Sequence, residues 1–395
     1  MKRISELFIT VCFLGFLAAA LFFTIAREPA TVSYFENRTL AAFPTYSPES
    51  VGDGSYTTQL EQYLDDHAAL RETLLKVKVP VDLLLHRPVV NKIVLTEDRL
   101  LPYLPVGKEI VDSATVKRWS ANMAENLKSI QDAAAEYGGY FCYVAVPCQY
   151  AYFEDDYPWY LYNRGDYSQE MVTGIGQALA ERGVPFLDIR AEFDAMGHPD
   201  EYGSRVDNHY TMEGAFETYR LVMEKAAAES GFEFPILGRS DVTFQPLPNE
   251  YMGSRERKLL NLVTKEERLS ILRPVEEVPF TRTDNGNPSP PEVYQLPASE
   301  DDLLTYNLYM GGDQPHTVID TNRDELPSIL IYGDSFTNAM ECVAYLSFNE
   351  MHSLDLRYYK EKNIRDYIRE IQPDIVVCIR DYEALPYLAD NGGAD

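Results

Sequence analysis

Apolar positions along this chain form three kinds of run. The first is long and unbroken: Leu7 to Ala26 carries no charge. At about 1.5 Å per residue such a helix spans roughly 30 Å, one hydrocarbon core. Lys2 and Arg3 precede it, and the positive-inside tendency then exports everything after Arg27. A retained single-pass anchor is expected. A cleaved signal peptide ending at Thr24-Ile25-Ala26 is the alternative, although its apolar core would exceed the usual stretch of about 7–15 residues. The second kind is short and continuous. Tyr140–Pro147, 185–189, 328–332 and 374–379 are predicted as strands, and the unbroken apolar run of the first marks burial on both faces. The third kind is periodic. Leu60, Leu64, Leu70, Leu74, Leu75 and Val79 form a helical stripe within 54–85. Further helices are predicted over 113–137, where Gly138-Gly139 stops the run, and over 168–182, 212–230 and 361–371. Another follows Ser335, and 353–357, with Asp355, reads as a strand. Strands alternating with helices predict an α/β fold with a doubly wound, mostly parallel sheet.

The rhythm breaks between Leu237 and Gly311, where Pro246, Pro248, Pro274, Pro279, Pro288, Pro290, Pro291 and Pro297 crowd a polar stretch. So long an irregular insertion is expected to cover the sheet edge as a cap. The polar segment 28–48 reads as an extended leader, and 91–104 as strands and turns. The expected division is an anchor over 1–27, a leader and helical region over 28–105, and a catalytic-type domain over 106–237 and 311–395. The cap insertion over 238–310 interrupts that domain.

Charge narrows the function. With 62 acidic against 35 basic residues, net −27, the surface repels phosphate backbones, which excludes nucleic acid as a partner. Five cysteines show no metal-like spacing, so neither a metal nor another cofactor is expected, and buried free thiols are. Asp65-Asp66-His67 reads as a solvated helix face, because consecutive helical positions diverge. The 28 tyrosines suit sugar faces as well as cores. Tyr152, Phe153, Tyr157, Trp159, Tyr160 and Tyr162 follow a strand, so they could floor a glycan cleft or simply pack.

The chemistry concentrates at two places. Strand 328–332 runs into Gly333-Asp334-Ser335-Phe336, which sets a hydroxyl at the carboxyl edge of the sheet, where open α/β folds place ligands. Such a serine needs a base to become a nucleophile; its plainer reading is a helix N-cap. The base is offered by Asp207-Asn208-His209-Tyr210. In extended backbone, residues two apart share a side, so Asp207 can fix the tautomer of His209. Of the other histidines, His67 and His86 lie in the N-terminal helical region, His198 in a loop beside Pro199, His316 after the Gly-Gly loop and His352 before a strand. Ser335, His209 and Asp207 therefore read as a Ser-His-Asp relay.

These motifs, taken in order, resemble the DHHW proteins, a branch of the SGNH hydrolase superfamily that includes alginate O-acetyltransferase-like proteins. The resemblance rests on Phe35-Glu36-Asn37-Arg38 with Phe43-Pro44, and on 60–67 with Arg71. It also rests on Tyr251-Met252-Gly253-Ser254, Tyr309–Pro315, Gly333-Asp334-Ser335 and Leu354–Tyr358. Where the family has Asp-His-His-Trp, this chain has Asp207-Asn208-His209-Tyr210, and its Gly-Gly loop ends in Asp313, often Asn in the family. The resemblance implies an SGNH-like, flavodoxin-like fold and a membrane-tethered, extracytoplasmic protein. It implies O-acetylation of cell-surface polysaccharide, often with an integral membrane O-acyltransferase. Ser335, Gly312 and Asp313 are then expected around an oxyanion, and Tyr210, Tyr152 and Trp159 near substrate. An ionised Asp313 cannot donate a hydrogen bond, which gives weight to a rival reading: a non-catalytic glycan-binding or scaffold subunit.

Overall fold

The computed structural model describes residues 2–26, 29–33, 35, 38–104, 111–163 and 165–393. The chain divides into two compact units: Met1–Ile93 with Ser254–Thr264, and Val94–Gly253 with Lys265–Asp395.

In the first unit the apolar run is a helix, Lys2–Ala26. Its Glu6–Thr24 stretch is long and apolar enough to cross a membrane. The stripe over 54–85 makes two helices, Ser55–His67 and Arg71–Leu84. They are separated at Leu70, whose φ is 63°, a left-handed conformation that no helix continues through. The leader contains a small antiparallel pairing of Val32–Ser33 with Arg38–Thr39. Glu36 and Asn37 of the entry motif lie outside the described residues. Asp66 and His67 are not solvated as expected. The buried Asp66 carboxylate accepts from Ala41 N–H at 2.8 Å. The His67 ring nitrogens lie 2.9 Å from the Tyr63 carbonyl and 3.0 Å from the Ala30 carbonyl. These contacts fasten the helix to the leader.

The second unit is built on an eight-stranded sheet. Its strands are β1 (Tyr140–Val146), β2 (Phe186–Asp188), β3 (Thr281–Asp284) and β4 (Asn287–Ser289). They continue with β5 (His316–Asp320), β6 (Ile329–Gly333), β7 (Glu350–Asp355) and β8 (Ile375–Asp381). The spatial order is β4-β3-β5-β7-β6-β8-β1-β2. From β7 to β2 all pairings are parallel; β4, β3 and β5 join antiparallel. The fold is α/β with a mostly parallel sheet, as expected. All of β6 and nearly all of β1 and β8 are buried, the cause of their unbroken apolar runs.

Helix α1 (Ser113–Ala135), capped by Asp112 on Thr115 N–H, packs on α2 (Gly165–Ala180), on β1 and on α4 (Ile364–Ile371). Helix α3 (Thr337–Ala344), which follows Ser335, packs on Met212–Ser230. The chain moves from β6 outward to β7 and then back across β6 to β8. Right-handed crossovers in opposite directions put their helices, α3 and α4, on opposite faces.

Two expectations are corrected here. The predicted strand 353–357 is Glu350–Asp355. It stops because the Asp355 carboxylate accepts from Arg357 N–H at 2.9 Å, and Tyr359 N–H turns back to the Asp355 carbonyl at 2.8 Å. The insertion is also more regular than its prolines suggested. Val242–Pro246 pairs with Ser270–Pro274, and β3 and β4 extend the sheet itself. Pro288 fits because β4 is the edge strand, whose outer side needs no donor. The five cysteines are free, and all but Cys12 are buried. Burial pushes the Cys142 and Cys378 thiols up to about 12.

Candidate active site

Ser335 stands two residues past β6, at the carboxyl edge of the parallel strands. Gly333 makes its position possible. A Cβ there would lie 2.3 Å from the Ile379 carbonyl oxygen and 2.7 Å from Thr337 Cγ2, so no other residue lets α3 start this close to β8. Asp334 shapes the turn by accepting from Phe336 N–H at 3.0 Å. Its other oxygen lies 3.3 Å from Nη1 of the buried Arg380. Ser335 is therefore not the cap of α3; its hydroxyl faces elsewhere.

The hydroxyl donates to His209 Nε2 at 2.7 Å, and His209 Nδ1 donates to Asp207 Oδ1 at 2.6 Å. The loop that carries this pair is tied at both ends. Ser204 Oγ accepts from Val206 N–H and Asp207 N–H at 3.2 and 3.0 Å. Thr211 caps the Met212–Ser230 helix through Gly214 N–H. Gly253, from the 251–254 motif, supports it from outside: a Cβ there would lie 2.3 Å from the Val206 carbonyl. Only a glycine lets the insertion lie against the backbone beside Asp207.

The imidazole is held between rings. Tyr306 stacks on it at 3.7 Å and 6°, and Phe336 lies at 5.0 Å. The Tyr306 hydroxyl is buried without a hydrogen-bond partner among the described residues. Tyr306 carried no sequence signal, since it lies in an irregular stretch far from both motifs.

The structure rearranges the expected oxyanion donors. Gly312 has φ 89° and its N–H donates to the Tyr309 carbonyl at 3.0 Å, so that donor closes its own turn. Asp313 is an acceptor: Asn338 Nδ2 donates to its Oδ1 at 3.0 Å and Arg357 Nη2 to its Oδ2 at 2.8 Å. Arg357 also binds Asp355 through Nε and Nη2. Burial works against the Arg357 charge, but the carboxylates of Asp355, Asp313 and Asp334 outweigh it and hold the guanidinium protonated. Burial raises the Asp355 carboxyl, opposed by Arg357. Asn338 lies three residues past Ser335, a spacing that shares a helix face, so it was legible in principle. One hydrogen of its amide is taken by Asp313. Ser335 N–H meets no protein acceptor among the described residues.

Of the residues expected near substrate, Tyr210 is buried and its hydroxyl donates to the Phe336 carbonyl. Tyr152 is also buried, stacked on His198 at 4.1 Å and donating to the Pro199 carbonyl at 2.7 Å. Both rings pack the support of the His209 loop. Trp159 is 94% exposed, edge-on to Tyr160 at 5.7 Å.

Known structures share this architecture. PatB1 of Bacillus cereus, solved with a sulfonyl adduct, has a TM-score of 0.64 and 19% identity, covering 76% of this chain and 98% of its own. A DHHW family protein from Eubacterium siraeum has a TM-score of 0.56 and 18% identity, covering 77% and 95%. No curated protein sequence matches the chain. A family model described as SGNH hydrolase-like domain, acetyltransferase AlgX, matches residues 106–306, just over half of the chain. The protein belongs to that SGNH hydrolase-like family, with Asp207 and His209 inside the matched span and Ser335 beyond it.

Proposed function

We propose that this protein is a membrane-tethered, extracytoplasmic serine acyltransferase or esterase that acts on O-acetyl groups of a cell-surface polysaccharide. The observation that carries the reading is the unbroken chain from Asp207 through His209 to the Ser335 hydroxyl, with steps of 2.6 and 2.7 Å. The catalytic domain would comprise 106–237 and 311–395, with 238–310 inserted.

The chemistry follows from the atoms. His209 Nε2 takes the hydroxyl proton as Ser335 Oγ bonds to the acyl carbon, and the carbonyl electron pair moves onto oxygen. Collapse of that tetrahedral species breaks the bond to the donor oxygen, which leaves with the proton from His209. A sugar hydroxyl, or water, then gives its proton to His209 and attacks, and Ser335 Oγ recovers the proton. Transfer and hydrolysis differ only in this acceptor. Asp207 keeps Nδ1 protonated so that Nε2 can act as base, and the general-base help His209 then gives is worth roughly 10²–10⁴-fold. Ser335 N–H and the second Asn338 amide hydrogen would stabilise the oxyanion. Asp313 would aim that amide, with Arg357 offsetting its charge near the developing oxyanion.

The family description, acetyltransferase AlgX, supports acetyl as the group moved. The apolar Glu6–Thr24 helix supports a tether, and an integral membrane O-acyltransferase would then supply the acyl group. The rival reading, a non-catalytic glycan-binding or scaffold subunit, draws on Asp313 standing where an amide is expected. Acetyl release from a chromogenic ester decides between them. Ser335→Ala is expected to lower turnover by roughly 10⁴-fold or more, and intact mass is expected to show a sulfonyl fluoride adduct on Ser335 of the native protein only. Equal turnover in both would select the rival.

A further inference from the structure

A concavity opens on the same edge of the sheet as Ser335. It has a volume of about 250 Å³, and Trp119, Tyr150, Tyr167, Tyr382, Glu383 and Tyr387 are among its lining residues. These come from four separate elements whose ends meet at the carboxyl rim. Trp119 lies in the first turns of α1 and Tyr167 in the first turn of α2. Tyr150 sits on the short Gln149–Tyr152 helix just after β1. Tyr382 follows β8, and its N–H donates to the Val146 carbonyl at 3.1 Å. Since β1, β8 and β6 are parallel neighbours, their last residues face one way. Ser335 and this aromatic pocket are therefore presented to the same solvent.

The rings are graded in a way core packing does not require. Tyr150 and Tyr382 are buried and form a fixed floor, with the Tyr382 hydroxyl donating to Asp188. Trp119 and Tyr167 are half-buried, and Tyr387 is 51% exposed. An exposed carboxylate, Glu383, stands among them. Flat apolar faces beside an acceptor match a pyranose, which offers C–H faces and donating hydroxyls. A uronate or phosphorylated sugar would meet Glu383 on a chain of net charge −27 and be repelled.

We propose that this pocket is a binding subsite for an uncharged sugar residue, a hexose or N-acetylhexosamine, of the glycan that Ser335 serves. The subsite rests on the function proposed above, and its test reads glycan binding separately from ester turnover. Titrations use the full chain carrying Ser335→Ala, so no chemistry intervenes. The probes are a cello-hexaose, a hexamer of N-acetylglucosamine and an oligomannuronate. The chain has only two tryptophans, Trp119 and Trp159, so Trp159→Phe leaves the emission of the pocket residue alone. The expected result is a saturable change in Trp119 emission with at least one uncharged oligomer and none with the oligomannuronate. By calorimetry, Trp119→Ala and Tyr387→Ala are each expected to weaken that binding about tenfold or more, which is about 1.4 kcal/mol. Tyr387 is exposed, so its variant keeps the test valid if Trp119→Ala fails to fold. No binding of either uncharged oligomer, equal binding in a folded Tyr387→Ala protein, or tighter binding of the oligomannuronate overturns the proposal. Loss of ester turnover in the native protein with glycan binding intact would overturn the catalytic reading instead.

Discussion

Two buried arginines sit on one sheet and are served very differently. Arg282, on the antiparallel edge, uses every arm: Nε donates to Asp284 at 3.0 Å, Nη1 to the Glu292 carbonyl at 2.6 Å, and Nη2 to the Met310 carbonyl at 2.7 Å. Arg380, at the end of β8, meets Asp334 at 3.3 Å through Nη1, while its Nε and Nη2 find no partner among the described residues. An unpartnered buried donor is costly. The edge is thus a latch, in which one side chain fixes β3 to the segments that lead into the Gly-Gly loop. The rim beside Ser335 instead carries polar groups whose capacity is unfilled: Arg380, the Tyr306 hydroxyl and Ser335 N–H. Here saturation accompanies the edge that holds shape, and unfilled capacity lies at the rim where the chemistry is proposed.

Substitutions can break that contrast. The largest effect is expected from Asp207→Asn, which leaves His209 with the wrong tautomer. Turnover of a chromogenic ester should fall about 10⁴-fold, with thermal unfolding little changed. Arg282→Met should do the reverse, leaving the Glu292 and Met310 carbonyls without that donor and Asp284 without its cation, with the Thr317 hydroxyl still donating to it. A loss of about 3–5 kcal/mol in urea unfolding is expected, and a loss under 1 kcal/mol would deny the latch. Asn338→Ala should lower turnover about 10²-fold without changing stability much, and Asp313→Asn, which keeps a partner for that amide, should cost less than Asn338→Ala.

The smallest effect concerns pH at the edge. His316, on β5, lies 2.7 Å from the Tyr367 hydroxyl, which also meets His352 at 2.7 Å, and His352 bonds Glu350. Burial, then the neighbouring His352, lowers the His316 pKa below its usual value near 6.5. The unfolded chain then binds the proton more readily, so this stabilisation is present above about pH 6.5 and is lost as pH falls through the folded value. The melting temperature should decline between pH 7 and 5, and His316→Asn should flatten that slope. Turnover at the Ser335 site should not follow the same slope.

The parallel half of the sheet was readable because its cause is local. β1, β6 and β8 are covered on both faces, and residues in that setting are apolar without interruption. The expected runs 140–147, 328–332 and 374–379 differ from the observed strands by a residue or two. The antiparallel edge was not readable. β3, β4 and β5 are short, half-buried and mixed with prolines, and their pairing depends on partners far along the chain. The same division runs through the site. The Asp207–His209 pair is an i, i+2 relation in one loop, and Gly333-Asp334-Ser335 is a strand-to-helix turn. Tyr306, Arg357 and the orientation of Gly312 depend on where the insertion returns to the sheet.

The order of residues alone determined which side chains can take up a proton, which runs must be buried, and where the backbone turns sharply, because these properties reside in single residues and their near neighbours. Tertiary packing decided that His209 reaches across to Ser335 and that Gly312 turns its N–H into its own loop. It also set Asp313 on an amide rather than on a substrate oxygen. Those outcomes depend on distances between segments that lie from 25 to 126 residues apart, or on a loop whose turn is set by packing, and no local pattern encodes them.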